Sequence, residues 1–104
     1  MDQNVITKEQ AWEELIDALC ETKDRELMSD FMKSLLTEYE VDEVANRWAL
    51  VRLIDRGMSQ RAISKSLGLS LCKITRGSKE LKKENSSFAR MINLQHSPDS
   101  QAMS

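Results

Sequence analysis

Helix breakers are scarce in this chain. Three glycines and one proline among 104 residues leave few places where a helix must stop or a tight turn is free. Aromatic residues make up 5% of the chain, and β-branched residues form no runs, so the usual composition of a sheet is missing. Leu, Met, Ala, Glu, Lys and Arg, the good helix formers, are plentiful. These observations predict an all-α fold of about six helices. A chain this short buries only a modest core, and such helical sets often gain stability by oligomerising.

Other absences remove whole function classes. His96 is the single histidine and lies near the end of the chain, so Ser/His and Cys/His catalysis lack a base. No His/Cys cluster has metal-ligand spacing, and no glycine-rich loop is built to cradle phosphate. No enzyme activity and no metal are expected. Cys20 and Cys72 are far apart and form neither a CxxC nor a disulfide framework, which points to a reducing cytoplasm. No apolar run approaches membrane-spanning length, so no membrane partner is expected. The start, Met1-Asp2-Gln3-Asn4, is too polar for a signal peptide.

The charge is unevenly distributed. The net charge of −2 hides 13 acidic and 4 basic side chains over 1–43, against 4 acidic and 11 basic over 44–104. The second part therefore suits a nucleic acid, and the acidic first part must face away from it or bury itself in a partner.

Helix-start signals recur along the chain. Thr7 with Gln10 forms a capping box, followed by an apolar stripe of Trp12, Leu15, Ile16, Leu19 and Cys20. Asp24 caps a second helix whose stripe is Leu27, Met28, Phe31, Met32, Leu35 and Leu36. Core packing is the expected role of both stripes, and they also suit a second copy of the chain. Thr37 and Glu40 form another capping box. A long helix follows with Val41, Val44, Ala45, Trp48, Val51 and Ile54 as its buried side and Arg52 and Arg56 as surface charges. Gly57 is placed to end it in the left-handed conformation.

The stretch 59–78 carries the chemistry. Ser59 caps one short helix, Gly68 supplies a tight turn, and Ser70 caps a second, basic helix, with Ile63, Leu67, Leu69 and Ile74 facing inward. This is the pattern of a helix-turn-helix whose second helix reads the DNA major groove. Arg61, Lys65, Lys73, Arg76, Lys79, Lys82 and Lys83 lie on or beside it and suit salt-sensitive phosphate contacts. Backbone amides after Ser70 offer a further phosphate site. Base contacts are expected from the first turns of the second helix, at Leu71, Cys72, Lys73 and Thr75. Gly77 is odd in a well-capped helix, where glycine costs roughly 1 kcal/mol against alanine. Either the helix ends there, or something lies flat against its backbone. After Leu81 a polar break leads to a last short helix, capped by Asn85 or Ser86 and bearing Phe88, Met91, Ile92 and Leu94.

Met58-Ser59-Gln60-Arg61, Leu67-Gly68, Ile74-Thr75-Arg76-Gly77-Ser78 and Leu81 resemble the tryptophan repressor family in order and spacing. The resemblance covers about residues 10–82, and its specific part is the Ile-Thr-Arg-Gly-Ser string. It implies an intertwined homodimer whose N-terminal helices interlock and whose helix-turn-helix heads grip two half-sites of a palindromic double-stranded operator. It also implies L-tryptophan as corepressor. The indole would lie between the guanidiniums of Arg47 and Arg76, held by cation–π attraction. Arg76 would also bind the ligand carboxylate, and Gly77 would leave room for the ring. Thr37 falls near the ligand's polar end, and Ser34 and Leu36 fall where backbone carbonyls meet its ammonium. The ligand would wedge beneath the reading helix and fix its angle, so that both heads enter successive major grooves roughly 34 Å apart. On this reading, residues 1–57 form the dimerisation region, 58–82 the DNA-reading head, 83–95 a short C-terminal helix and 96–104 a disordered tail.

This chain departs from the family in three places. Glu80 stands where the family often has serine beside the ligand's amino group. Lys73 replaces a small residue on the reading helix. One residue fewer separates the long helix from the motif at Gly57-Met58, and the tail after Ser86 differs. Two other readings stay open: a helix-turn-helix protein that ignores ligand or answers another indole, and a helical interaction protein whose basic segment binds an acidic protein.

Overall fold

Capping chemistry places the helices. A computed structural model of the chain describes residues 5–96. These residues form α1 (Lys8–Glu21), α2 (Arg25–Leu35), α3 (Glu38–Asp55), α4 (Gln60–Leu67), α5 (Leu71–Lys82) and α6 (Ser87–His96), with no strand among them. Apart from His96, the tail expected to be disordered lies outside the described residues, as do Met1 to Asn4. At α1, Thr7 Oγ1 accepts from the Gln10 amide at 3.0 Å and Gln10 Oε1 accepts from the Thr7 amide at 2.9 Å. Thr37 and Glu40 exchange the same two bonds, at 3.1 and 2.8 Å, where α3 begins. Asp24, Ser59 and Ser70 each accept from the amide three residues on, opening α2, α4 and α5. Ser86, not Asn85, caps α6 by accepting from the Ala89 amide at 3.2 Å. Each cap satisfies a backbone donor that the first helical turn leaves without a partner.

The helix ends are equally local. Gly57, at φ +90°, closes α3 with two bonds: its own amide donates to the Ile54 carbonyl and the Met58 amide to the Leu53 carbonyl. This is a Schellman closure, which requires the left-handed residue. Gly68, at φ +66°, ends α4 with a single bond from its own amide to the Ser64 carbonyl and turns the chain toward α5. The Ser64 hydroxyl pins that turn by donating to the Leu69 carbonyl at 2.8 Å.

The chain falls into two compact units divided between Val41 and Asp42. The first contains α1 and α2, and neither helix buries a single side chain. Leu15, Ile16, Leu19, Met28, Phe31 and Met32 are half-buried, while Leu27 and Leu35 are exposed and Trp12 is 60% exposed. Core packing within the chain, expected for these stripes, is therefore corrected. Two short helices give each other too little surface to bury both stripes.

The second unit has a true core of Leu50, Ile63 and Ile74, with Leu53, Ile54, Leu67 and Leu69 packed against it. Val51 and Ile92 are also buried. Residues 42–57, which the sequence reading grouped with the N-terminal region, share this unit with α4 and α5. The expected buried side of α3 needs correction. Val44 and Ala45 are exposed, whereas Leu50 is 2% exposed. Helix α3 is apolar around much of its circumference, so no single stripe marks its inward side. Arg52, expected at the surface, is half-buried, and Arg56 is exposed.

Candidate ligand cavity and nucleic-acid interface

The odd glycine packs its bare backbone against α3. Helix α5 runs on to Lys82, so Gly77 does not end it. A Cβ at Gly77 would lie 3.0 Å from Leu50 Cδ2, 3.2 Å from Leu50 Cγ and 3.7 Å from Val51 Cγ2. What lies against this backbone is the Leu50 side chain, and the missing Cβ lets the two helices approach.

Beside that contact is a cavity of about 260 Å³ lined by Glu43, Asn46, Arg47, Leu50, Leu69, Lys73, Arg76, Gly77 and Phe88. Its size falls just below the usual range of small-molecule sites, roughly 300–1,000 Å³, and suits a ligand of amino-acid size. Helix α3 contributes Glu43, Asn46, Arg47 and Leu50, at spacings i, i+3, i+4 and i+7. Helix α5 contributes Lys73, Arg76 and Gly77, at i, i+3 and i+4. Both sets are single helical faces. The wall joins cations from both helices to apolar surface from Leu50, Leu69 and Phe88, which matches a ligand with a carboxylate and a flat ring.

Three of the seven expected ligand residues, Arg47, Arg76 and Gly77, are thus brought to one cavity. Glu80 is not in its wall. Its carboxylate pairs with Lys83 Nζ at 2.6 Å, and it lines a separate shallow groove with Leu71, Cys72, Thr75, Arg76, Lys79 and Lys83. Thr37, Ser34 and Leu36 belong to the first unit. Sequence reasoning missed Glu43, Asn46, Leu50, Leu69, Lys73 and Phe88 as cavity residues. The helical spacing from Arg47 was the available signal for the first three, and Phe88 had only its place on the last apolar stripe.

The residues expected to touch DNA lie on α4, at the cap of α5 and along α5. Arg61, Lys65, Ser70, Leu71, Cys72, Lys73, Thr75 and Lys82 are all exposed, and Leu71 is 57% exposed despite its apolar side chain. Ser70 takes up the Lys73 amide, which leaves the amides of the first turn facing outward. Lys73 is engaged elsewhere: its Nζ donates to Glu43 Oε1 at 3.1 Å and Oε2 at 3.4 Å. Arg76 lines both the cavity and the outer groove, so one side chain spans the two candidate sites. Among the described residues no group of His, Cys, Asp and Glu could hold a metal ion, and no helix is long and apolar enough to cross a membrane.

An all-helical protein with a small cavity between α3 and the basic helix α5 is the class that this fold and site define. The family model described as Trp repressor protein matches residues 10–96, and the chain belongs to that family. Among curated relatives, the Trp operon repressor homolog of Xylella fastidiosa (strain M23) is 35% identical over 81 residues, covering 77% of this chain and 88% of the relative. The Trp operon repressor homolog of Vibrio vulnificus (strain YJ016) is 33% identical over 85 residues, covering 80% and 83%. That of Chlamydia caviae is 30% identical over 87 residues, covering 83% and 86%. No solved structure gives a significant match. The resemblance drawn from the Ile-Thr-Arg-Gly-Ser string thus extends over residues 10–96.

Proposed function

We propose that this protein is a cytoplasmic transcriptional repressor that binds a palindromic operator as a homodimer, with L-tryptophan as corepressor. The observation that carries the reading is the meeting of Arg47, Arg76 and Gly77 in one cavity of amino-acid size, directly behind the basic helix α5. A zwitterion with an indole ring suits the two guanidiniums and the apolar patch of that wall. The guanidiniums stack on the ring and take the carboxylate, while Leu50, Leu69 and Phe88 cover its apolar edge. Thr37, Ser34 and Leu36, which lie in the first unit, are assigned to its polar end by the family resemblance alone.

Helix α5 is the reading element of the head, residues 58–82. Leu71, Cys72 and Thr75 face base edges, and Arg61, Lys65, Lys79, Lys82 and Lys83 take phosphates. Residues 1–57 supply dimerisation. The exposed Trp12, Leu27 and Leu35 of α1 and α2 support this, since a second copy gives them the cover that the chain itself does not. Ligand binding favours DNA only as far as it prefers the α5 position that fits the groove.

The test is binding to a palindromic DNA selected by the ligand-saturated protein, with and without L-tryptophan. Affinity is expected to rise severalfold with ligand and to fall with salt. Arg76→Ala should lose the ligand response while remaining folded. A full response in that variant would refute the pocket assignment. Equal affinity with and without ligand would favour the ligand-independent DNA binder, and no DNA binding at low salt would favour the protein-interaction reading.

A further inference from the structure

We propose that Glu43 is a positioning residue for α5, acting through Lys73, so that part of the ordering assigned to the ligand is built into the chain. The inference deepens the ligand-responsive reading above and rests on it for its functional meaning.

The two Lys73–Glu43 contacts, at 3.1 and 3.4 Å, join residues thirty apart in sequence on two different helices. The Lys83–Glu80 pair, by contrast, links residues three apart. Lys73 lies one helical turn before Gly77 on α5, and Glu43 lies two turns before Leu50 on α3. The ion pair and the Leu50–Gly77 contact therefore fasten the same two helix faces at separate points. The cavity is lined by all four of these residues, so a ligand entering it acts between the same faces. Tether and ligand push one equilibrium in the same direction, toward α5 docked on α3. The pair is partly exposed, at 50% and 27%, which limits it to a shift of about twofold to fivefold. Couplings between a ligand and a distant site are typically about 5- to 150-fold, so the tether replaces a measurable share. A docked state already populated also raises the apparent affinity of the ligand.

Lys73 takes on a different role as a result. Its ammonium is paired with Glu43 of α3, so it acts on α5 from behind and reads no base.

The experiment is hydrogen exchange on the full chain without ligand, comparing wild type, Glu43→Gln and the reversed pair Glu43→Lys with Lys73→Glu. In Glu43→Gln the amides over 74–78 are expected to exchange about two- to fivefold faster while those of α1 stay unchanged. The reversed pair should restore slow exchange, which a purely steric role would not predict. Calorimetry on Glu43→Gln should show L-tryptophan bound more weakly by the same factor. Unchanged exchange over 74–78, or equal acceleration in α1, overturns the proposal. If L-tryptophan fails to slow α5 exchange in wild type, the ligand reading fails. The tether is still decided by Glu43→Gln against wild type.

Discussion

Gly77→Ala separates the two physical accounts of this glycine. If helix propensity alone mattered, alanine would stabilise α5 by about 1 kcal/mol. The structure puts the new Cβ 3.0 Å from Leu50 Cδ2 and 3.2 Å from Cγ, and Leu50 is 2% exposed, so it has little room to swing away. Overpacking of this kind costs about 1–3 kcal/mol. The net effect is a loss of about 0–2 kcal/mol, a range too close to zero to decide on its own. A double-mutant cycle removes the ambiguity. Leu50→Ala deletes both crowding atoms, at its own cost of about 2–5 kcal/mol. In that background Gly77→Ala has only its propensity gain and should stabilise by about 1 kcal/mol. The coupling energy is then about 1–3 kcal/mol. The assay is urea unfolding of the four proteins at one fixed chain concentration, with an osmolyte present to keep Leu50→Ala folded. Additivity within about 0.5 kcal/mol would refute the claim that Leu50 is why residue 77 is glycine.

Other outcomes follow from the same structure. Ser70→Ala removes the hydroxyl that accepts the Lys73 amide and should cost about 1 kcal/mol in unfolding experiments, with Ser70→Asp recovering most of it. Ser64→Ala frees the Leu69 carbonyl at the α4–α5 turn and should loosen that turn, read as faster exchange of the amides around it. Sedimentation should find the wild-type chain self-associated, and Trp12→Glu should shift it toward monomer, because the indole is 60% exposed on the chain alone. A monomeric wild type at micromolar concentration would contradict the dimerisation reading.

Local chemistry was legible and long-range packing was not. Thr7, Asp24, Thr37, Ser59 and Ser70 announced helix starts because a cap needs only a side chain and an amide three residues on. Gly57 and Gly68 announced ends because the left-handed conformation selects glycine. The core face of α3 was misread in part: Val51 was placed inward correctly, but Leu50 was missed and Val44 and Ala45 are exposed, since both sides of that helix are apolar and only packing selects the inward one. Gly77 stood out in sequence as costly, but its cause is a side chain 27 positions earlier. The stripes of α1 and α2 were expected to pack as core, and that neither helix buries a side chain became visible only in three dimensions. At the site, Arg47 and Arg76 were found through the family resemblance. Glu43 and Phe88 were not, because their relevance depends on which helices meet.

Calorimetric titration of the purified protein with L-tryptophan is the most direct test of the central claim, because it needs no knowledge of the operator. Saturable binding at one site per chain, weakened severalfold or lost in Arg76→Ala, is the result expected. No heat at either of two temperatures would contradict the claim that the cavity between α3 and α5 is a tryptophan site.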